Sequence, residues 1–272
     1  MEIKDKIKSI NDFEKRSWAI KKISIERWGE FSPCPIRFVI NPYQSCSFRC
    51  PYCYVWPDKD ISNIRPGFRK ALKHDIKRAI NMGLTLFAIE ISPSTDPFQY
   101  IEEELGETLF SINEFLKEGF RVLLVTKNPG MLLNSPYIKL LDNENIYLDV
   151  TLTSLKEGTK TGYLLNNNGP SAKKKLTAIA EIIRRGKDVR IKIEPVVPTF
   201  GNIKGQTASD LEELVEYLAQ IGVKTIIAKT LRLNANMSEA VVNCLLPFYK
   251  ENGKLIHNNY ILNAKIRRGM LE

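Results

Sequence analysis

Arg37-Phe38-Val39-Ile40-Asn41-Pro42-Tyr43-Gln44-Ser45-Cys46-Ser47-Phe48-Arg49-Cys50-Pro51-Tyr52-Cys53 starts as a short apolar run and ends in three crowded cysteines. The apolar part reads as a strand, so the cysteines fall on the loop at its carboxyl end. Downstream, apolar stretches over 84–92, 121–126, 146–153, 189–197 and 224–233 read as further strands, several of them nearly continuous in Ile, Leu, Val and Phe. Such runs are expected of strands buried on both faces of a parallel sheet. Between them lie stretches of helical spacing, over 66–81, 105–118, 131–141, 171–185 and 207–220. Gly83, Gly119, Gly186 and Gly222 end four of these. Six strands alternating with helices imply a parallel sheet, because a parallel strand returns only through a crossover. Right-handed crossovers wind such units into a closed or a partial barrel, α/β in class. Chemistry then belongs at the carboxyl ends of the strands, where the cysteine loop sits. The chain divides on this reading into a leader over 1–35, a barrel over 36–235 and a helical C-terminal extension over 236–272.

The cysteines are spaced C-x3-C-x2-C at Cys46, Cys50 and Cys53. Thiolates are soft ligands, suited to iron–sulfur clusters or zinc. Three is the informative number. A structural zinc site closes its tetrahedron with four protein ligands, and an electron-transfer cluster commonly has four cysteines. A cubane held by three thiolates leaves one iron open to a small chelating molecule. The remaining candidates for a fourth ligand are distant in sequence: Cys34, Cys244, His74 and His257. A zinc knuckle completed by Cys34 or His74 is the competing structural reading. An odd set of five cysteines, three of them clustered, speaks for a reducing compartment and against a disulfide framework.

No apolar run approaches the roughly 20 residues that span a bilayer. The charged N-terminus lacks the core of a signal peptide. A cytoplasmic protein without membrane contact is expected. The formal charge of +9 favours an anionic partner such as nucleic acid, while a merely solubilising Lys-rich surface is the plain alternative. Lys173-Lys174-Lys175 and Arg184-Arg185 are the short basic concentrations.

Cys46 to Cys53, with Tyr52 as the aromatic before the last cysteine, resembles the C-x3-C-x-aromatic-C hallmark of the radical S-adenosylmethionine superfamily. Asn41-Pro42-Tyr43-Gln44-Ser45-Cys46 and Cys50-Pro51-Tyr52-Cys53-Tyr54 are similar, more narrowly, to the spore photoproduct lyase-related subgroup. Thr95-Asp96-Pro97-Phe98-Gln99, Thr126-Lys127 and the stretch from Pro195 to Pro198 strengthen that likeness. The resemblance spans about 36–235 and implies a partial (β/α)6 barrel topped by a 4Fe–4S cluster on Cys46, Cys50 and Cys53. It implies that S-adenosylmethionine binds the open iron and is reductively split to methionine and a 5′-deoxyadenosyl radical, which takes hydrogen from a substrate. It also implies a reductant of the flavodoxin or ferredoxin type.

Carried across by position, Tyr52 lies against the adenine, Thr95 meets the methionine amino group and Lys127 reaches the methionine carboxylate. Thr151 meets the ribose, and the backbone at Glu194 passes the adenine. Asp96, Gln99 and Tyr54 are the substrate-side candidates. Each has a plainer reading. Tyr52 as packing, Asp96 in an Asx turn before Pro97, Lys127 as a snorkelling surface residue and Thr151 as strand preference all remain open. Two departures matter. The Gly-Gly-Glu-like turn of many members is replaced by Glu90-Ile91-Ser92-Pro93-Ser94-Thr95. Pro93 also stands where the lyase carries its hydrogen-donating cysteine, so repair of spore photoproduct by that route is not expected. Two functions follow: a radical enzyme on an unassigned substrate, with nucleic acid or a nucleotide in view, or a zinc-dependent nucleic-acid-binding module without catalysis.

Overall fold

The structure is a computed structural model that describes residues 9, 12–13, 15–23, 37–55, 64–158 and 168–271. Cys34 and most of the leader lie outside the described residues. Seven strands form one sheet in sequence order: β1 (Lys21–Ile23), β2 (Arg37–Ile40), β3 (Ile89–Ile91), β4 (Val122–Thr126), β5 (Ile146–Thr151), β6 (Val189–Val196) and β7 (Thr225–Thr230). β1 pairs antiparallel with β2, and β2 through β7 are all parallel. The expected six-strand parallel sheet is thus present, with one antiparallel strand added at its edge from the leader.

The crossovers carry α1 (Phe68–Asn81), α2 (Glu102–Leu105), α3 (Glu107–Lys117), α4 (Ala172–Arg184) and α5 (Ala208–Gln220). Their apolar stripes explain where they lie. On α4, Leu176, Ile179 and Ile182 recur at helical spacing and are buried with the outward Val189, Ile191 and Ile193 of β6 in one core. Each such side chain contributes about 1.5–3 kcal/mol on burial. The opposite face of the sheet differs. Arg190, Lys192 and Glu194 alternate with the apolar residues of β6 and point away from that core. That face is polar, and Lys192 and Glu194 on it line a cavity.

Three expected elements changed shape. The apolar stretch over 84–92 contributes only Ile89–Ile91 to the sheet, because Gly83 (φ 67°) turns the chain and the Leu84 N–H donates back to the Ala79 carbonyl of α1 at 2.9 Å. The helix expected over 105–118 breaks at Gly106 (φ 62°) into α2 and α3. The buried Glu102 carboxylate then accepts the Thr108 and Leu109 N–H groups at 2.9 and 2.8 Å, filling the orphan donors at the start of α3. Over 131–141 the prolines Pro129 and Pro136 leave two 3-10 turns, Pro129–Leu133 and Tyr137–Leu140.

The C-terminal extension holds the expected helices, α6 (Glu239–Asn252) and α7 (Ala264–Gly269). Together with β8 (Leu233–Asn234), which takes the end of the strand expected over 224–233 out of the main sheet, it forms a three-stranded antiparallel sheet with β9 (Gly253–Ile256) and β10 (Asn259–Leu262). It packs on the main body through a second apolar cluster that includes Tyr52, Val197, Leu231, Leu245 and Tyr249. Among the described leader residues, one side chain ties the approach to β1 onto α1. Buried Asp75 on α1 accepts the backbone N–H groups of Trp18, Ala19 and Ile20 at 2.9, 2.8 and 3.2 Å. Among the described residues no helix is long and apolar enough to cross a membrane.

Candidate functional site

A cavity of about 650 Å³ opens at the carboxyl ends of the parallel strands, within the size range of small-molecule sites. Cys46, Cys50 and Cys53 all line it, as free, half-buried thiols. The loop that carries them is built rather than slack. Pro51 and Tyr52 form the middle of a β-turn closed by the Cys53 N–H on the Cys50 carbonyl at 2.9 Å, with Pro at the position such a turn favours. Phe48 is fully buried and packs edge-on against Tyr100, with ring centroids 5.8 Å apart.

Two amides hold the loop from outside the cavity. Gln99, with no exposed surface, straddles Cys46: its Oε1 accepts the Ser47 N–H at 2.6 Å and its Nε2 donates to the Ser45 carbonyl at 3.0 Å. From the other side the Asn168 N–H donates to the Phe48 carbonyl at 2.7 Å, and its Nδ2 to the Ser47 carbonyl at 3.2 Å. Of the substrate-side candidates, Gln99 is thus placed behind the cysteine loop and does not line the cavity.

Asp96 lines the cavity, yet its oxygens are engaged. Oδ1 accepts the Phe98 N–H at 2.9 Å in an Asx turn and the Thr126 hydroxyl at 2.7 Å, and Oδ2 accepts the Lys127 N–H at 2.6 Å. It welds the loop after β3 to the end of β4 and fixes the backbone from which Lys127 projects. Burial pushes its carboxyl up, against the pull of those hydrogen bonds. The Lys127 ammonium stands 5.5 Å from the centre of the Tyr52 ring, over which it makes a cation–π contact. Tyr54 is half-exposed at the cavity wall. Thr95, Thr151 and Glu194 line the same space. The structure therefore gathers every sequence-predicted residue except Gln99 around one cavity.

The thiols sense this environment. Burial, followed by the nearby Asp96 charge, pushes the Cys46 thiol up to about 12. Burial also raises Cys50, and the Lys127 and Lys175 ammoniums oppose that rise. Among the described residues no three His, Cys, Asp or Glu side chains converge on a single ion. His74 projects from α1 beside Asp75, its side chain 68% exposed, and is not part of the cavity wall.

Residues that the sequence reading passed over complete the site. Ser92, just past β3, has φ 60°, a left-handed conformation uncommon outside glycine. Its buried hydroxyl and that of Thr95 find no hydrogen-bond partner, and both residues line the cavity. Buried hydroxyls are normally satisfied, so a polar ligand fits here. Lys175, from the basic Lys173-Lys174-Lys175 run, is fully buried. It donates to the Glu157 carboxylate and, at 3.2 Å, to the Thr151 carbonyl. Burial lowers its ammonium, with Glu157 opposing. Its position three residues after Ala172 and four before Ile179, on the apolar stripe of α4, was the available signal. Lys192 and Lys229 flank Glu194 at 3.3 and 3.0 Å on the wall formed by β6 and β7.

No family model matches the chain. Uncharacterized protein Rv2578c of Mycobacterium tuberculosis is 20% identical over 214 residues, covering 74% of this chain and 61% of that protein. A Mycobacterium bovis counterpart matches equally. The chain thus spans about three fifths of the length of the curated relatives it matches. Among solved structures, a spore photoproduct lyase mutant with dinucleoside spore photoproduct superposes with a TM-score of 0.61 at 14% identity, covering 86% of this chain and 70% of that one. Another lyase mutant, with bound AdoMet and the same dinucleoside, gives 0.57 at 14% identity over 86% and 71%. Streptococcus suis SuiB bound to S-adenosylmethionine gives 0.57 at 16% identity over 74% and 42%. The chain has the α/β fold of radical S-adenosylmethionine enzymes, spore photoproduct lyase and SuiB being two of its structural neighbours.

Proposed function

We propose that this chain is a radical S-adenosylmethionine enzyme whose Cys46, Cys50 and Cys53 hold a 4Fe–4S cluster, with a nucleotide or nucleic acid as its substrate class. The observation that carries the reading is the joint placement of three thiols, two unpartnered buried hydroxyls and a lysine ammonium around one cavity at the strand ends. The donor set suits the group. Three soft thiolates line one cavity, the ligand type and number that a 4Fe–4S cluster with one open iron calls for. A zinc knuckle needs a fourth ligand, and His74 stands away from the cavity.

Cys46, Cys50 and Cys53 would hold the cluster, which would supply the electron for reductive cleavage of S-adenosylmethionine and hence hydrogen-abstraction chemistry. The protein's part is binding and orientation. Lys127 holds the methionine carboxylate as a point charge. The Ser92 and Thr95 hydroxyls accept the methionine amino group, a role the missing Gly-Gly-Glu-like turn leaves to them. Tyr52 and the backbone at Glu194 and Pro195 bracket the adenine, and the Thr151 hydroxyl meets the ribose. Asp96 acts through Lys127, and Gln99 through Cys46, as positioning residues. Tyr54 faces the substrate. Pro93 has no thiol from which a hydrogen atom could be donated, so spore photoproduct repair by the lyase's cysteine route is not the reaction.

The test is anaerobic incubation of reconstituted protein with S-adenosylmethionine and dithionite. 5′-Deoxyadenosine forms, and a Cys50→Ala variant makes none. Colourless protein that binds one zinc and yields no 5′-deoxyadenosine overturns the proposal.

A further inference from the structure

The ladder between β6 and β7 breaks where β6 reaches the cavity. Pairing runs evenly from Arg190 opposite Thr225 to Ile193 opposite Ala228, then shifts before Val196 meets Thr230. Glu194 and Pro195 stand in that shift, two residues against the one Lys229, and all three line the cavity. A bulge of this kind re-aims side chains and leaves backbone groups without strand partners, and such bulges gather beside active sites. Backbone groups orphaned inside the protein must be met from elsewhere.

Gln206 meets them. Its Oε1 accepts the Val197 N–H at 2.8 Å, and its Nε2 donates to the Pro195 carbonyl at 3.0 Å and to the Thr153 carbonyl, just past β5, at 3.1 Å. An N–H can meet only the amide oxygen, and carbonyls only the amide nitrogen, so three partners fix the side chain's orientation. One side chain thus takes the place of a strand across the ends of β5 and β6. The close approach is built in. A Cβ on Gly205 would fall 1.8 Å from the Val197 carbonyl oxygen, so only glycine lets the chain pass here. The Gly205 N–H donates to the Thr199 hydroxyl at 3.0 Å, and Phe200 and Ile203 exchange both backbone hydrogen bonds at 3.0 Å. After Gln206, Thr207 starts α5 with a capping box to Asp210, which Lys156 beyond β5 also grips at 2.5 Å. The loop rests on the C-terminal extension. Phe200 packs against Phe248 of α6, with ring centroids 5.3 Å apart, and Ile203 belongs to the same apolar cluster as Tyr52.

We infer that Gln206 is a positioning residue that holds the β6 bulge toward the cavity, so that the backbone at Glu194 and Pro195 and the Tyr52 ring form the wall for the adenosyl half of the cofactor. This rests on the radical-enzyme reading for the ligand, though not for the clasp itself. The methionine half depends on a different support, Asp96 fixing Lys127 at the end of β4. The two halves are therefore separable by substitution.

The experiment uses the full chain. In the apo protein, hydrogen exchange at the Val197 amide, followed by nuclear magnetic resonance, quickens at least about tenfold in Gln206→Leu, the scale of one lost buried hydrogen bond. Exchange at the Lys127 amide stays as in the parent. After anaerobic reconstitution, binding of S-adenosylmethionine is measured by equilibrium dialysis, with 5′-methylthioadenosine and methionine as competitors for its two halves. Gln206→Leu keeps its iron, loses about tenfold for S-adenosylmethionine and 5′-methylthioadenosine, and takes methionine as the parent does. Lys127→Ala shows the reverse preference. Gln206→Glu keeps an acceptor for Val197 but sets carboxylate oxygens against two carbonyls, and it shows the same split should the leucine variant fail to fold. The inference is overturned if the Val197 amide exchanges at the parental rate in these variants, or if methionine affinity or iron content falls in step with the adenosyl half. It is also overturned if the parent binds S-adenosylmethionine yet takes no 5′-methylthioadenosine. A parent that binds both while the Gln206 variants bind them equally well sinks this assignment alone. A parent that binds neither sinks the radical reading, and this assignment with it.

Discussion

Gln99 offers the sharpest separation between a loop that is preset for a cluster and one that is merely shaped by it. Its side-chain amide makes two buried hydrogen bonds on either side of Cys46, to the Ser47 N–H at 2.6 Å and the Ser45 carbonyl at 3.0 Å. Gln99→Leu keeps the volume and deletes both. Each buried group that loses its partner costs about 1–3 kcal/mol, so the loop geometry is disfavoured by about 2–6 kcal/mol. Every 1.4 kcal/mol is a factor of about ten in an equilibrium constant. Iron should therefore pass from the reconstituted variant to a ferrous chelator more than about tenfold more readily than from the parent protein. Urea unfolding of the apo form, followed by circular dichroism, separates this local effect from global loss. Should Gln99→Leu fail to fold, Gln99→Glu retains the acceptor for Ser47 and sets a carboxylate oxygen against the Ser45 carbonyl, and it too should shed iron faster. Iron retention equal to the parent's in a folded variant would show that Gln99 does not position the cysteines.

Lys127→Ala should weaken S-adenosylmethionine binding about tenfold or more while iron content stays unchanged; loss of iron instead would refute its assignment to the methionine carboxylate. Lys175→Met leaves the Glu157 carboxylate buried without its ammonium and should cost about 3–5 kcal/mol in urea unfolding. Adding Glu157→Gln should recover part of that loss, and simple additivity of the two changes would contradict a coupled pair. Apo-protein stability should fall as pH rises from about 9 toward 12. The Cys46 thiol is raised from 9.0 to about 12 in the fold, so between those values the unfolded chain has lost a proton that the native state keeps. The contribution is complete below 9 and disappears on approaching 12. Cys46→Ala should shallow the slope of urea midpoint against pH, and an unchanged slope would refute the assignment.

The parallel sheet was legible because buried strands write continuous apolar runs, and glycines mark the ends of the helices between them. What stayed hidden was local. Leu84 to Ala88 is as apolar as any strand, yet a turn back onto α1 removes it from the sheet. The C-terminal strands β8 to β10 are too short to show a period. At the site, the cysteines were visible from spacing alone, and most residues inferred by likeness do meet at the cavity. Gln99 was assigned to the correct neighbourhood and the opposite side of the loop, since sequence gives no direction for a buried amide. Ser92 could not be found, because its left-handed backbone leaves no mark on a serine. Lys175 could have been: a lysine on an apolar stripe is a buried charge, however basic its neighbours. Lys192, Glu194 and Lys229 were likewise readable as the polar alternation of β6 and β7, where one face of the sheet is not core.

The account depends on an iron corner that no side chain claims. Electron paramagnetic resonance of the dithionite-reduced, reconstituted protein, recorded with and without S-adenosylmethionine labelled with 15N at its amino group, addresses this directly. The expected result is a reduced 4Fe–4S signal that changes on adding the cofactor, with electron–nuclear coupling to the labelled nitrogen. A signal indifferent to the cofactor and free of that coupling would mean that the cluster's fourth position is closed, and the enzymatic assignment would fail.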